Sequence, residues 1–466
     1  MSTGLKTLDE VKQAVAVLAM GNGDALDRLV WAGVFGPPGV REAARQGVID
    51  QCRSVGLYPA SIHHLYLARG RGEVPATFTV PAINIRGMAY DTARALFRAR
   101  KKLDAGAVIC EIARSEISYT GQRPAEYTFV VMAAALREGW TGPLFIQGDH
   151  FQVNAKKYAT GPAAEVQAVL ELTGEALKAG FYNIDVDTST LVDLSKPTHA
   201  EQQALNSRIC AEITAYIRKH EPAGVTVSVG GEIGEVGGKN STAEELSAFV
   251  EGYGKELSKL APGKPGMSKI SIQTGTSHGG VPLPDGTIAK VKLDLDTLQS
   301  LSKLSREAYG FAGAVQHGAS TLPTELFGEF AKRGACEIHL ATEFQNMIFD
   351  FPQFPAELKR AIYDELRVSE AGDRKPTDTD EQFFYKVRKK ALGGRKLELW
   401  SLPAETRRAL GEKLEERFTF LLTQLAVQGT RALAEKHAPF VPGSYPVFDE
   451  ALGAAKGPED VSGLSD

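Results

Sequence analysis

Short apolar runs recur along most of this chain, and segments of helical character separate them. Each run is rich in β-branched or aromatic residues and is bounded by glycine, proline or polar residues, a pattern typical of buried β-strands. The eight runs are FTVPAIN (78–84), AVICEI (107–112), PLFIQGD (143–149), YNIDVD (182–187), VTVSVGG (225–231), SKISIQT (268–274), GAVQHG (313–318) and CEIHLA (336–341). Eight strands that alternate with helices predict an α/β fold, the (βα)₈ or TIM barrel.

The segments between the runs support the same architecture. The helix candidates are residues 90–103, 163–179, 200–219, 243–260 and 323–332. An open, doubly wound sheet is the structural alternative, but no glycine-rich dinucleotide fingerprint follows the first run. We therefore predict an N-terminal helical extension (1–75), a barrel domain (76–350) and a C-terminal helical extension (351–466).

Composition narrows the classes of function. The formal net charge of −4 over 466 residues provides no general field for nucleic acid or anionic lipid. The four cysteines are scattered without a C-x-x-C pair, which disfavours zinc-finger and disulfide frameworks. The N-terminus MSTGLKTLDE does not resemble a signal peptide, and no apolar run is long enough to span a bilayer. We expect a cytoplasmic protein with a small-molecule substrate and no nucleic-acid or membrane partner.

Three histidines stand at the ends of predicted strands: His150 after FIQGD, His278 after SIQTGTS and His317 after GAVQ. The carboxyl ends of barrel strands open into one shared site, so these side chains should converge. One such histidine would usually be structural, but three in register with the repeat favour a common role. Three imidazoles with coordination positions left open are typical of a catalytic divalent-metal site.

Carboxylates stand close to these histidines. Asp149 directly precedes His150, so its side chain should fall on the other side of the strand end or on the loop, near the metal. Asp149 is then either a general acid/base or substrate-hydroxyl partner, or a group that orients a ligand histidine. Glu232 and Asp187, at two further strand ends, could join the metal site, hold a second cation or cap a loop.

A glycine-dense segment, residues 230–240, follows the fifth run. It precedes Ser241-x-x-Glu244, which predicts a capping box at a helix start. We predict that the segment is a mobile lid over the site, with a plain connecting turn as the alternative.

A second motif favours a different class of enzyme. GTSHG (275–279) fits the Gly-x-Ser-x-Gly nucleophile elbow of hydrolases, and Asp296 and His317 follow in the order of a triad. That elbow requires a helix after the turn, whereas GGVPLPDGTIAK contains two prolines and a glycine turn. A hydrolase is therefore the weaker hypothesis.

Six of these segments resemble, in order, the class II (metal-dependent) fructose/ketose-bisphosphate aldolase family over about residues 80–346. The matching pieces are VPAINI, FIQGDH, IDVDTS, GGEIGEVGG with STAEELSAFVE, TGTSHGG and VQHGAS. Six ordered matches are more specific than any single one.

The resemblance implies roles for individual residues. It makes His150, His278 and His317 the ligands of a catalytic Zn²⁺ or another divalent metal, with Asp149 handling the proton of the aldol hydroxyl. The other residues to which it gives a role are Asp187 and Glu232, for a second-metal or relay position, and Gly279, Gly318, Ala319 and Ser320, for a substrate phosphate.

This chain also departs from the family pattern at several positions. Gln147 stands where many members have a histidine, and Lys239–Asn240 stand where a glutamate base is usual. We therefore take Glu235 as the candidate for the second proton transfer. His339, which we predict to contact substrate, stands in an altered form of the family's Asn-x-Asp strand.

The leading hypothesis is reversible aldol cleavage of a phosphorylated ketose, similar to fructose 1,6-bisphosphate, into dihydroxyacetone phosphate and an aldehyde. One alternative is a metal-dependent lyase or isomerase that acts on another sugar or acid. The other is a barrel that supports a partner aldolase without turnover of its own. The resemblance also implies self-association as a homo-oligomer.

Overall fold

The computed structural model describes residues 4–234, 239–276, 283, 293–448, 459, 461, 463 and 464. Nine strands among them form one parallel sheet. They are β1 (Leu57–Ala60), β2 (Val80–Asn84), β3 (Ile109–Ala113), β4 (Gly142–Gln152), β5 (Asn183–Asp187), β6 (Ser228–Glu232), β7 (Lys269–Ile272), β8 (Ala314–Gln316) and β9 (Glu337–Leu340). Strands β2 to β9 pair in chain order, and β9 returns to β2, so the sheet closes. The predicted (βα)₈ barrel is confirmed.

Helices surround this barrel and extend beyond it at both ends of the chain. The first ten described are α1 (Leu8–Ala19), α2 (Gly23–Phe35), α3 (Val40–Ser54), α4 (His63–Gly70), α5 (Ala89–Leu103), α6 (Arg114–Thr120), α7 (Pro124–Arg137), α8 (Ala155–Thr160), α9 (Pro162–Lys178) and α10 (His199–His220). The next ten are α11 (Ala243–Leu260), α12 (Leu295–Tyr309), α13 (Phe327–Lys332), α14 (Thr342–Phe349), α15 (Ala356–Ser369), α16 (Asp380–Val387), α17 (Ala391–Gly394), α18 (Lys396–Trp400), α19 (Ala404–Gln424) and α20 (Arg431–His437). Short 3₁₀ turns occupy Ser189–Leu191, Thr324–Leu326, Ala371–Asp373 and Arg388–Lys390. The predicted helix at 323–332 is thus a 3₁₀ turn followed by α13.

The capping box before α11 lies one residue later than predicted. Thr242 is the N-cap, and its side chain and that of Glu245 satisfy each other's backbone amides. Ser241 instead pairs with the chain after β7, where its hydroxyl accepts a hydrogen bond from Gln273 N at 2.9 Å.

Strand β1 lies in the N-terminal segment that was predicted to be helical. It pairs in parallel with the first part of β4, from Leu57 beside Gly142 to Ala60 beside Phe145. Strand β5 pairs with β4 only from Gln147 onward. The amino-terminal part of β4 therefore has an open edge, and β1 satisfies its backbone groups.

Helix α4 covers the amino-terminal end of the barrel through one buried arginine. The Arg69 guanidinium donates hydrogen bonds to the carbonyls of Ala312 at 3.0 Å, Gly334 at 3.2 Å and Ala335 at 2.9 Å, and to that of Phe78. These carbonyls precede β8, β9 and β2, so one side chain joins three connections.

The C-terminal extension packs on the outside of the barrel helices. Helix α19 lies along α5, where Arg407 pairs with Asp91 at 3.2 Å and Arg98 pairs with Glu415 at 2.5 Å. The Thr430 hydroxyl accepts a hydrogen bond from the backbone amide of Ala107 at 3.0 Å, just before β3. The extensions therefore pack on the barrel, and the exact domain limits stay a prediction. Among the described helices, none combines the length and the apolar composition that crossing a bilayer requires.

Candidate active site

An irregularity in β4 places two neighbouring polar residues in the barrel mouth. The pairing of β4 with β5 shifts register between Gly148 and Phe151, and His150 has a φ of 38°. A β-bulge and a left-handed residue break the alternation of side chains between the two faces of a strand. As a result, His150 Nε2 lies 3.8 Å from the Asp149 carboxylate. The Asp149 side chain therefore lies beside the predicted metal ligand His150 and not across the strand from it.

Three groups of buried side chains among the described residues could hold a metal ion, and one of them contains two of the predicted histidine ligands. His150, Glu232 and His317 are buried, and one donor atom from each lies within 4.8 Å of the others. Imidazole and carboxylate ligands in this number are typical of catalytic zinc sites that leave a position open. The rings of His150 and His317 lie with centroids 4.3 Å apart.

The electrostatics of this centre favour a cation. Burial raises the pKa of the Glu232 carboxyl well above its ordinary value, and the neighbouring Asp187 raises it further. Burial alone would lower the pKa of the His150 imidazole, but the carboxylates of Asp149, Asp187 and Glu232 raise it well above its ordinary value. Three buried carboxyl groups thus surround one imidazole, and a divalent cation fits this donor set.

Neighbouring polar side chains orient the two histidines. His150 Nδ1 donates a hydrogen bond to Asp187 at 3.0 Å, and Ser189 N and Oγ donate to the same carboxylate at 3.1 and 2.7 Å. His317 Nε2 hydrogen-bonds the Ser271 hydroxyl at 2.9 Å. A carboxylate or hydroxyl on one ring nitrogen is the usual support of a histidine that binds metal through the other.

Asp149 is fully buried and held on both oxygens. Its Oδ2 accepts a hydrogen bond from Asn84 at 2.8 Å, and its Oδ1 accepts one from His339 Nδ1 at 3.1 Å. Burial alone would raise the pKa of the Asp149 carboxyl, but the charges of His150 and His339 lower it well below its ordinary value. Asp149 is thus a carboxylate, as a general base requires.

A layer of buried polar residues lies next to the mouth, inside the barrel. The Lys269 ammonium pairs with Asp185 at 2.8 Å and with Glu337, and it donates to Gln147 at 2.8 Å. Burial alone would lower the pKa of Lys269, but the carboxylates of Asp185 and Glu337 raise it above its ordinary value. Lys269 is therefore protonated and does not provide the neutral amine that a Schiff base requires.

Gly230 leaves room for this layer. A Cβ atom at Gly230 would lie 2.3 Å from an Asp185 oxygen and 2.9 Å from Lys269 Cε. The glycines at 230 and 231 therefore belong to β6, and the lid expected for 230–240 would involve only the residues after this strand. Lys239, near the end of the 230–240 segment, pairs with Glu245 at 2.9 Å.

The structure brings together most of the residues that the sequence singled out. Asp149, His150, Asp187, Glu232, His317 and His339 share the barrel mouth. Gly318, with a φ of 66°, Ala319 and Ser320 follow His317 in the connection after β8, and Ser320 Oγ accepts a hydrogen bond from Ala341 N. His278, Glu235 and Gly279 lie outside the described residues.

The positions of Asp296 and His317 contradict the hydrolase hypothesis. The Asp296 side chain is 92% exposed and pairs with Arg333 on the outer surface, whereas His317 is buried in the mouth. An aspartate in that position cannot orient His317.

Sequence reasoning missed several residues that support the site. They are Asn84, Arg86, Glu111, Glu116, Asp185, Lys269, Ser271 and Glu337. A signal existed, because charged residues interrupt the apolar runs ICEIA, NIDVD, KISI and EIHL at positions that alternate with apolar ones. In a barrel, every second residue of a strand points inward, so these charges must face one another.

The fold and this cluster define a (βα)₈-barrel protein with a candidate metal centre at the carboxyl ends of its strands. A family model described as fructose-bisphosphate aldolase class-II matches residues 75–389, which is more than half of the chain. The chain belongs to the class II fructose-bisphosphate aldolase family.

Solved structures with the same fold are distant in sequence. A probable tagatose 6-phosphate kinase of Sinorhizobium meliloti is 17% identical with a TM-score of 0.51, over 80% of this chain and 97% of that one. A fructuronate-tagaturonate epimerase of Cohnella laeviribosi is 12% identical with a TM-score of 0.51, over 83% and 86%. A fructose-bisphosphate aldolase of Campylobacter jejuni is 17% identical with a TM-score of 0.47, over 78% and 93%. At such low identities, the first two structures show only that the barrel fold is shared.

Proposed function

We propose that this chain is a metal-dependent aldolase that reversibly cleaves a phosphorylated ketose, similar to fructose 1,6-bisphosphate, into dihydroxyacetone phosphate and an aldehyde. Membership of the aldolase family supports the class of reaction. The observation that carries the proposal is a buried Asp149 carboxylate beside the His150–Glu232–His317 group.

In this proposal, His150, Glu232 and His317 hold Zn²⁺ or another divalent cation, and His278 remains a predicted ligand. When bound, the cation supplies Lewis-acid polarisation of the substrate oxygens. Asp187 keeps His150 in the orientation that ligation requires, since its carboxylate accepts a hydrogen bond from Nδ1.

Asp149 takes the proton of the substrate hydroxyl as the carbon–carbon bond breaks. Its lowered pKa means that it is ionised, and so able to accept this proton, before the reaction. The bonding electrons remain with the fragment that carries the ketone, which then needs a proton at carbon. We assign that proton transfer to Glu235. Gly279 and the turn Gly318–Ser320 would receive the phosphate through backbone amides.

The test is turnover by purified, zinc-loaded protein on a panel of ketose mono- and bisphosphates. Release of triose phosphate is followed by a coupled dehydrogenase assay, with and without a chelator. We expect triose phosphate from at least one ketose phosphate, loss of that activity on chelation and its return with zinc. Absence of chelator-sensitive triose release from every substrate would overturn the proposal.

The same panel separates the two alternatives. An isomerase or epimerase would convert a sugar without producing smaller fragments, which chromatography of the products detects. A supporting subunit would turn over nothing alone and would raise the activity of a separate aldolase.

A further inference from the structure

The two oxygens of Asp149 are held by two different side chains, Asn84 and His339. Each of these is itself held by a buried carboxylate, and each carboxylate pairs with a buried cation. Two chains of contacts therefore meet at Asp149 from separate parts of the barrel.

The first chain, which we call the Arg86 arm, consists of Arg86, Glu116 and Asn84. Asn84 Nδ2 donates to Glu116 Oε2 at 3.0 Å as well as to Asp149. Glu116 pairs with Arg86 and accepts a hydrogen bond from Ala113 N at 2.8 Å. The exposed fractions of Arg86 and Glu116 are 4% and 0%.

The second chain, the Lys269 arm, consists of Lys269, Glu337 and His339. His339 Nε2 donates to Glu337 Oε1 at 2.7 Å while its Nδ1 donates to Asp149. Glu337 also accepts from Lys269 and from the Tyr66 hydroxyl. Lys269 and Glu337 are both fully buried.

We propose that these arms fix the plane of the Asp149 carboxylate, which makes Glu116 and Glu337 positioning residues for the proton transfer. The inference rests on the proposed role of Asp149. Among the described residues, the groups whose donor atoms could surround an ion contain neither Glu116 nor Glu337. Both carboxylates therefore act on Asp149 through Asn84 and His339.

Stability alone does not explain these ion pairs. Burying charged pairs is often neutral or unfavourable compared with packing apolar side chains of similar volume. Barrel interiors are usually filled by valine, isoleucine and leucine. A catalytic carboxylate, in contrast, needs a fixed orientation, because a displacement of about 1 Å can reduce the rate about 100-fold.

The experiment uses the isosteric variants Glu116→Gln and Glu337→Gln in the full chain. Each carboxylate accepts hydrogen bonds from at least three donors. In the glutamine variant, an NH₂ group replaces one carboxylate oxygen, so it faces another donor and that hydrogen bond is lost. We expect kcat to fall about 10- to 100-fold in each variant, with KM and zinc content close to wild type. Wild-type kcat in both variants would overturn the proposal.

The double variant separates positioning from two independent losses. Both arms act on one carboxylate, so removing the second should cost much less than the product of the two single effects. Fully multiplicative effects on kcat would contradict a shared target.

The control is Glu221→Gln, which weakens an ion pair with the buried Arg218 away from the mouth. We expect it to lower the unfolding midpoint and to leave kcat unchanged. A fall in kcat equal to that of the arm variants would reduce both arms to a structural role and overturn the proposal.

Crystal structures of the two single variants provide a readout independent of turnover. We expect the Asp149 carboxylate to rotate away from His339 in Glu337→Gln and away from Asn84 in Glu116→Gln. An unmoved carboxylate in both would overturn the inference even if the wild type cleaves ketose phosphates. If the wild type is inactive while the carboxylate rotates as expected, the aldolase proposal alone is lost.

Discussion

Asp149 and His150 are neighbours in the chain and partners in the site. In a regular strand their side chains would point to opposite faces of the sheet. The bulge after Gly148 and the positive φ of His150 bring both into the mouth. A residue such as histidine in this backbone region carries a strain of about 1–3 kcal/mol, and such strain is concentrated at functional sites.

The role of Asp149 can be tested with Asp149→Asn, which removes the base and keeps the volume. We expect kcat for ketose-phosphate cleavage to fall about 10²- to 10⁴-fold. Bound zinc, measured by elemental analysis, should stay at the wild-type level because Asp149 is not one of the three proposed ligands.

A suitable control is Asp193→Asn, on a side chain that is 49% exposed in the loop after β5. It should retain wild-type turnover. Unchanged turnover in Asp149→Asn itself would remove the general base from the mechanism.

His63 makes the stability of this protein depend on pH. The imidazole is buried at the start of α4, and burial and then the nearby charge of Arg218 lower its pKa to about 3. An unfolded histidine takes up a proton near pH 6.5. Between about pH 6.5 and about pH 3 the unfolded chain therefore binds more protons, and acidification favours unfolding.

The expected contribution of His63 at pH 4.5 is a loss of about 2–3 kcal/mol relative to neutral pH. Urea unfolding of His63→Gln at about pH 7 and about pH 4.5 should show a difference smaller than that of wild type by roughly this amount. His220→Gln, on an exposed histidine at the end of α10, should keep the wild-type difference. An undiminished pH difference in His63→Gln would contradict the assignment.

Among the elements, the eight barrel strands could be predicted from the sequence because each is a short buried run bounded by glycine, proline or polar residues. Strand β1 was not, since LYPA is short, contains proline and shows no alternation. Its position depends on the open edge of β4, which exists only in the folded sheet.

The contacts between side chains inside the barrel could not be predicted from the sequence either. Glu111, Asp185, Lys269 and Glu337 lie on four different strands, and only closure of the sheet brings them together. The bulge that turns Asp149 toward His150 has no distinctive residue pattern. The strand-end histidines and carboxylates were readable because barrel topology alone implies their convergence.

Helix α4 should contribute strongly to stability through Arg69. Arg69→Lys replaces a fork that reaches four carbonyls with a single ammonium, so buried carbonyls lose their donors. We expect the free energy of unfolding to fall by about 2–4 kcal/mol. Denaturant titration of both proteins measures this loss.

Arg71→Lys is the matched control, two residues further on at the C-cap of α4. Arg71 pairs with Glu73 at the surface, where both side chains are more than half exposed. Such pairs contribute about 0–1 kcal/mol. Equal losses in the two lysine variants would show that the four buried hydrogen bonds do not stabilise the barrel.

In the whole molecule, the site and the extensions occupy different places. The barrel mouth holds the buried histidines and carboxylates, while α4, β1 and the C-terminal extension close the opposite end and the flank. The family match at 75–389 leaves much of both extensions outside it. These segments complete the packing of the barrel around its unusually polar interior.

The central claim is that His150, Glu232 and His317 surround one metal ion. Anomalous diffraction above the zinc absorption edge, on crystals grown with zinc, tests it most directly. We predict one strong peak at about 2.0–2.2 Å from an imidazole nitrogen of each histidine and a carboxylate oxygen of Glu232. Saturating zinc with no peak in the barrel mouth, or a peak bound by other residues, would contradict the account.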